Sequence, residues 1–281
     1  MKRKSFPIEN SLYVFFSFAA IGGFLEAYTF LLHGGVFCNA QTGNLVLFVM
    51  RLCEGQFSAS LHYLWSILAY MAGIGVSVLL PRVCRKTSFL IAVTAAEAAV
   101  LAGLAFQPEG TPDQITYVSV AFLCALQYNS FTSCRGATLA TTFCTNNLRQ
   151  TVIHLCGGIS EKDREKLRKS GIYACVIAVF AVGAAAGVLT AKALGNISIL
   201  LCALLLLPVI AVLAVTAHRR KKTEGNLSAA ETGPAQSQPS QNADGQVPAD
   251  LSGQDDREKA ESKQSDLCAP KSSAAEKEPQ D

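Results

Sequence analysis

Charged side chains are scarce in this chain, and they are unevenly placed. Of its 281 residues, 16% are charged and 50% are apolar, and the mean hydropathy is +0.30. An ordinary soluble domain carries about 25% charged residues. The charges here concentrate in short clusters and in a long C-terminal stretch. This distribution is typical of a protein that crosses a membrane several times.

The sequence also lacks the signatures of two classes of binding protein. Its net charge of +3 is small and no basic patch is interleaved with aromatic residues, so no nucleic acid partner is expected. None of the ten cysteines forms a C-x-x-C pair and the four histidines are scattered, so no metal site is expected. Four cysteines within or beside apolar runs are predicted to be buried thiols: Cys38, Cys124, Cys175 and Cys202.

Catalytic motifs are missing as well. The chain contains no H-E-x-x-H, no G-x-S-x-G, no phosphate-binding glycine loop and no paired carboxylates within one segment. We therefore expect neither an enzyme nor a bound cofactor.

Long apolar runs are abundant by contrast. Crossing a hydrocarbon core takes about 20 helical residues, and six runs are long enough: 11–33, 61–81, 88–106, 115–133, 171–192 and 196–217. The first run contains Glu26 and no small-residue cleavage site, so it is predicted to be a retained helix and no signal peptide. Two shorter runs lie near 43–53 and 146–156. An 11-residue helix rises only about 16 Å, so these two are predicted to re-enter the membrane or to lie at its interface.

Positive charge predicts the orientation of the six spans. Basic clusters lie at 2–4, 82–86, 162–169 and 219–222, and all four fall on one side if six spans cross the membrane. Because basic residues accumulate on the cytoplasmic side, both termini are predicted to be cytoplasmic. The chain is therefore expected to be a multi-pass protein of a cytoplasmic membrane.

The chain divides into three predicted regions. A cytoplasmic N-terminus covers 1–10, and a transmembrane domain covers 11–217. Residues 218–281 contain no aromatic residue and no apolar periodicity. Because such a segment cannot bury enough apolar surface to offset its ordering entropy, it is predicted to be a disordered cytoplasmic tail.

A weak internal repeat relates the two halves of the transmembrane domain. Residues 23–46 (GFLEAYTFLLHGGVFCNAQTGNLV) align with 126–149 (LQYNSFTSCRGATLATTFCTNNLR) at a shift of 103. The identical pairs are Thr29 and Thr132, Thr42 and Thr145, Asn44 and Asn147, and Leu45 and Leu148. Each copy ends a long apolar run and leads into a short one, with two further spans after it. Three spans per half is an odd number, so the halves, about 11–106 and 115–217, are predicted to be inverted relative to each other.

The repeat predicts a short re-entrant helix in each half. After the first span the chain would return as an irregular segment, 35–41, and then begin a half-helix with Thr42 as its N-cap. Thr145 would do the same from the cytoplasmic side. Both helices would direct their free N–H groups and positive dipole ends towards the midplane. Irregular backbone at that depth requires burial in protein or a wet cavity, so the polar tract is predicted to line a cavity.

The repeated motifs carry a resemblance to a known family. The stretches GGVFCNAQTGNLV and ATTFCTNNLR, with GGFLEA upstream, resemble the YoaK family of uncharacterised bacterial membrane proteins. The resemblance covers about 10–217 and implies an integral membrane protein of bacterial origin, with no established substrate or reaction. This chain has Glu26 where relatives usually have Asp. It also has Thr-Asn-Asn at 145–147 where relatives usually have Thr-Gly-Asn, and Asn tolerates left-handed backbone.

Twelve polar residues are candidates for binding a solute: Glu26, Asn39, Gln41, Thr42, Asn44, Glu97, Gln127, Asn129, Thr142, Thr145, Asn147 and Arg149. A carboxyl group inside a span is costly and marks a functional site by default, which favours Glu26. For Glu97, a functional role and a structural hydrogen bond are equally good interpretations. For Gln127 a bridge between helices is favoured, and for Arg149 a role in setting topology.

The sequence therefore predicts an all-α membrane protein that acts as a secondary transporter or permease for a small solute. A non-catalytic membrane scaffold or partner protein is the alternative, and a membrane-embedded enzyme is the least favoured one. The expected partners are the lipid bilayer and a small-molecule solute, with self-association left open.

Overall fold

The computed structural model describes residues 12–82, 86–131, 133–134, 137–138 and 144–231. The α-helices in these ranges are α1 (Leu12–Leu32), α2 (Gln41–Cys53), α3 (Phe57–Leu79), α4 (Lys86–Ala105), α5 (Asp113–Ser130), α6 (Cys144–Ser160), α7 (Arg164–Leu194) and α8 (Leu200–Glu231). Short 3-10 turns occupy Leu80–Arg82 and Gly195–Ile199. Two-residue strands β1 (Ser133–Cys134) and β2 (Ala137–Thr138) pair antiparallel before α6.

Four helical stretches are long and apolar enough to cross a membrane: Leu12–Leu32, Phe57–Leu79, Ser88–Ala105 and Arg164–His218. The last has 55 residues and comprises α7 and the apolar part of α8. It would rise about 80 Å as one straight helix, which exceeds the roughly 30 Å core. The turn at Gly195, where φ is 59°, separates its two helices. The remaining expected span corresponds to α5, which has 18 residues and is not among the four.

The outer surface of the helices is apolar, as expected for contact with lipid. Large hydrophobic side chains with more than two thirds of their area exposed include Phe57, Phe106, Val182 and Leu189. A soluble monomer rarely exposes contiguous apolar patches of this kind. The chain is therefore a helical protein with the surface and composition of a membrane protein.

Helix α1 lies at the centre of the bundle. Its buried side chains include Phe15, Phe18, Leu25 and Tyr28, all at 1% exposure or less. Glycines allow its close approach to α7, because a Cβ at Gly183 would collide with the Ala20 carbonyl oxygen. Small residues are a common means of bringing membrane helices together.

The helices pack in pairs that have a regular pattern. Helix α1 packs on α7, and α3 packs on α5. Helix α2 packs on α3, and α6 packs on α7, while α4 packs on α8. Suppose that α1 is exchanged with α5, α2 with α6, α3 with α7 and α4 with α8. The pair α1–α7 then becomes α5–α3, α2–α3 becomes α6–α7, and α4–α8 becomes itself, so the set of pairs is unchanged.

Burial along α3 and α7 follows the same correspondence. Five of the six buried positions of α3 have a buried counterpart 110 residues later in α7: Ser60 and Ser170, Tyr63 and Tyr173, Ser66 and Val176, Gly73 and Gly183, and Ser77 and Gly187. The sixth, Tyr70, corresponds to the partly buried Phe180. Gly73 and Gly183 also make the same kind of close contact. A Cβ at Gly73 would collide with the Phe122 carbonyl oxygen, as a Cβ at Gly183 would collide with that of Ala20.

Three boundaries differ from the sequence-based prediction. Helix α2 begins after Ala40, which caps it without a side-chain hydrogen bond, so the prediction of Thr42 as N-cap is wrong. Helix α6 has 17 residues and rises about 25 Å, more than the short run suggested. Helix α8 continues to Glu231, so the first residues of the predicted disordered tail are helical. No proline interrupts that stretch, and most of its residues are good helix formers.

Candidate functional site

The carboxylate of Glu26 binds the backbone that leads into α2. Glu26 Oε2 accepts a hydrogen bond from the Asn39 N–H at 2.8 Å, and Oε1 accepts one from the Ala40 N–H at 3.0 Å. The Cys38 thiol also donates to Oε2, at 3.2 Å. These N–H groups lie at the N-terminus of α2, where helix donors have no internal partner. Glu26 therefore supplies the hydrogen-bond acceptor that Thr42 was expected to supply, and it adds a negative charge at the positive end of the helix dipole.

The residues between α1 and α2, 33–40, return alongside the middle of two long helices. Asn39 Nδ2 donates to the carbonyl of Gly22, the central residue of α1, at 3.4 Å. Ser66, close to the centre of α3, donates from Oγ to the Phe37 carbonyl at 3.1 Å. By the helical rise, Glu26 lies about 9 Å before the end of α1. The start of α2 is therefore well inside the bundle, away from its ends.

Asn44 satisfies the irregular backbone of this segment. Its Oδ1 accepts from the Phe37 N–H at 2.9 Å, and its Nδ2 donates to the Phe37 carbonyl at 2.6 Å and to Gln41 Oε1 at 2.9 Å. Gln41 Nε2 in turn donates to the Cys38 carbonyl at 2.9 Å. Asn44 is completely buried. Both amides thus hold the segment in place, because buried backbone groups away from water need partners.

Two buried thiols connect this segment to the second half of the chain. Cys38 Sγ and Cys124 Sγ, on α5, lie 4.0 Å apart, and both side chains are buried. Cys202, on α8, is also buried. The expectation of buried thiols is confirmed for these three. Cys175 is exposed on α7 and is an exception.

Glu97 and Gln127 form a second polar pair in the interior. Gln127 Nε2 donates to Glu97 Oε1 at 2.9 Å and to Oε2 at 2.7 Å. The pair joins α4 to α5, and both side chains are buried. The bridging role that the sequence favoured for Gln127 is confirmed, and Glu97 is its partner.

The remaining described candidates lie on α2, α5 and α6. Asn129 Nδ2 donates to Ser77 Oγ at 2.7 Å, a separate contact between α5 and α3. Asn147 is buried on α6, as Asn44 is on α2. Three candidates are exposed: Thr42, Thr145 and Arg149. Thr142 lies outside the described residues.

Two buried oxygen atoms near Glu26 have no hydrogen-bond partner among the described residues. They are Asn39 Oδ1 and the hydroxyl of Tyr70, whose side chains are 1% and 5% exposed. Tyr70 lies one helical turn after Ser66 on α3, so it is on the face of that helix from which Ser66 contacts the Phe37 carbonyl. Sequence reasoning missed Tyr70 because it lies in an apolar run with no polar neighbour to mark it.

His33 forms a separate contact just past the end of α1. Its Nδ1 lies 2.9 Å from Asp113 Oδ1, at the start of α5, and the histidine is 2% exposed. Burial lowers the pKa of His33, although the hydrogen bond and the charge of Asp113 act in the opposite direction. The side chain of His33 is therefore enclosed by the protein.

Comparison with known proteins places the chain by family alone. The model of a protein family described as a protein of unknown function (DUF1275) matches residues 14–213. The matched range includes both repeated motifs and parts of all eight helices. No curated protein and no solved structure matches the chain.

Proposed function

We propose that this chain, which belongs to the DUF1275 family, is a secondary transporter or permease for a small solute. The family carries no assigned activity, so the proposal rests on the geometry of the interior. In it, α1, α3, α4, α5, α7 and α8 cross the membrane as two inverted repeats, and α2 and α6 are re-entrant helices. The narrower YoaK assignment and the bacterial cytoplasmic membrane rest on the sequence motifs and stay predictions.

The packing pattern supports the repeat. Each helix pair has a counterpart under the exchange of the two halves, and the buried faces of α3 and α7 correspond position by position. Two halves with three crossings each must point in opposite directions, which is the plan of many secondary transporters. Helix α5 rises about 27 Å and packs along α3, so it is long enough to be the remaining crossing.

One observation carries the proposal: the start of α2 lies beside the middle of both α1 and α3. In a membrane, such backbone is tolerated only inside protein or along a water-filled cavity. Transporters place substrate sites at these broken helices near the midplane. Glu26, Asn39 and the two thiols therefore lie where a solute would bind.

Glu26 couples the binding of a solute or proton to movement of residues 33–40. As a carboxylate it accepts charge-assisted hydrogen bonds from two N–H groups and a thiol. Protonation removes that charge and loosens the hold on residues 33–40. A solute or proton that neutralises Glu26 would thus favour movement of this segment against α5, where Cys38 meets Cys124.

Counterflow into proteoliposomes tests the proposal. We expect saturable uptake of at least one class of small solute by the wild type. Glu26→Gln should reduce uptake about tenfold or more. The NH2 group of the glutamine would face a backbone N–H that donates to the carboxylate in the wild type, so two donors would meet. Glu26→Asp keeps the charge and should retain part of the activity. The control is Glu54→Gln, at the exposed end of α2, where Glu54 pairs only with Arg51.

Two outcomes would contradict this proposal. One is uptake that E26Q and E54Q reduce equally. The other is an absence of flux for every solute class together with a protein that co-purifies stably, which would favour the scaffold alternative. That alternative rests on the C-terminal tail alone.

A further inference from the structure

We infer that the solute is a small protonated amine, bound as its ammonium ion by the Glu26 carboxylate, the Asn39 side-chain oxygen and the Tyr70 hydroxyl. This inference rests on the proposed function and names the chemical class of its substrate. It follows from the charges and the unpaired hydrogen-bonding groups of the interior.

Among the described residues, the interior contains carboxyl groups but no buried lysine or arginine. Glu97 is completely buried and Glu26 is partly buried, whereas no lysine or arginine is buried in the described ranges. Arg51 pairs with Glu54 beyond the end of α2, and Arg149 is exposed. Charges interact strongly where the dielectric constant is low. An anionic solute beside Glu26 would therefore meet repulsion without a counter-charge, while a cation would be attracted.

The unpaired groups need donors. Asn39 Oδ1 can only accept a hydrogen bond, and the Tyr70 hydroxyl can accept one. A buried polar atom without a partner is costly, so each one requires an explanation. A primary ammonium ion has three N–H donors and no acceptor. It supplies one donor for Glu26, one for Asn39 and one for Tyr70.

A metal cation fits this region less well. Calcium takes six to eight oxygen ligands, and magnesium requires octahedral coordination. The part of the chain that the structure describes contains no group of three or more His, Cys, Asp or Glu residues able to hold a metal ion. The buried thiols of Cys38 and Cys124 lie next to Glu26 and to each other, and a thiol is a weak hydrogen-bonding group that behaves as a small apolar side chain. Such neighbours suit the methyl end of a small alkylammonium ion.

Binding to the purified full-length chain in detergent tests the inference without interference from membrane leakage. The probes are radiolabelled methylammonium, tetramethylammonium and acetate. Tetramethylammonium has the charge but no N–H donor, and acetate has a similar size and the opposite charge. We expect saturable methylammonium binding, at least tenfold weaker tetramethylammonium binding and no acetate binding.

Matched variants assign the binding to the named atoms. Tyr70→Phe removes one hydroxyl and keeps the ring, and it should weaken methylammonium binding about tenfold. Asn39→Leu should do the same. The control is Tyr63→Phe, on the same helix but in a separate apolar cluster with Val36 and Tyr117, and it should bind like the wild type. The comparison of methylammonium with tetramethylammonium uses the wild type. It therefore tests the inference even if a variant fails to fold.

The outcomes distinguish the inference of an ammonium substrate from the proposal of transport. Acetate binding without methylammonium binding, together with uptake of an anionic solute, would overturn the inference and leave the transport proposal standing. Equal affinity for the two ammonium ions would also overturn it, since the unpaired oxygens would then have no role. No binding of any probe and no uptake of any solute would contradict both.

Discussion

At the scale of single residues, Glu26 and Asn44 hold the segment that leads into α2. The sequence marks Glu26 because a carboxyl in an apolar run is unusual. It could not show that the carboxylate binds N–H groups 13 and 14 residues later, because that contact depends on how residues 33–40 return. Tyr70 and Cys124 reach the same place from other helices, and such proximity is invisible in one sequence.

Asn44→Leu should destabilise the folded protein strongly. The change removes the partner of the Phe37 N–H, while the Phe37 carbonyl keeps its hydrogen bond from Ser66 Oγ. An unpaired buried group costs about 1–3 kcal/mol, so the free energy of unfolding should fall by about 2 kcal/mol. Thermal unfolding in detergent measures the effect. Thr42→Val, two residues away on the exposed face, should change stability by less than about 0.5 kcal/mol, and equal effects would contradict the assigned contacts.

His33 should make stability depend on pH. Its pKa is lowered in the folded chain, so the unfolded chain binds a proton first as the pH falls. The free energy of unfolding should therefore decrease as the pH drops from about 7.5 through the ordinary histidine pKa near 6.5 and on towards the lower folded value. Thermal unfolding between pH 5.5 and 7.5 should show this decrease in the wild type and a smaller one in His33→Gln.

The control for this titration is His218→Gln, because His218 is exposed on α8. It should keep the wild-type pH response. If His33→Gln shows the full response as well, the enclosed position of His33 cannot be its cause.

At the scale of elements, the sequence predicted which segments are helices better than where they begin. The six long runs correspond to α1, α3, α4, α5, α7 and α8, because length and hydropathy are local properties. The start of α2 was misplaced because the acceptor that caps it comes from α1 and not from a neighbouring Thr. The extent of α6 was underestimated because its polar first and last turns broke the apolar run.

Close helix contacts make a prediction at this scale. Gly183→Ala puts a Cβ into the Ala20 backbone carbonyl, so α1 and α7 must move apart. Overpacking of this kind costs about 1–3 kcal/mol. Gly75→Ala, on α3, meets nothing within 4 Å and should be neutral or slightly stabilising, because alanine favours helix. Detergent unfolding of the two variants should separate them, and similar stabilities would contradict the α1–α7 contact.

At the scale of the whole molecule, the central claim is that the two halves are inverted and that α2 and α6 re-enter. The sequence repeat alone was weak, with four identities in 24 residues. The packing of the helices supports the repeat, because corresponding helices of the two halves form corresponding pairs, and α3 and α7 bury corresponding positions. A packing pattern of this kind emerges only from the assembled fold, so the sequence could suggest the repeat but could not test it.

The sidedness of two loops tests this claim most directly. Glu109→Cys lies between α4 and α5, and Lys162→Cys lies between α6 and α7. A membrane-impermeant thiol reagent is applied to intact and to opened cells, and each variant is read against the unsubstituted chain. If α6 re-enters, E109C should react only from outside and K162C only from the cytoplasm. Reaction of both from the same side would mean that α6 crosses the membrane, and it would contradict the inverted repeat.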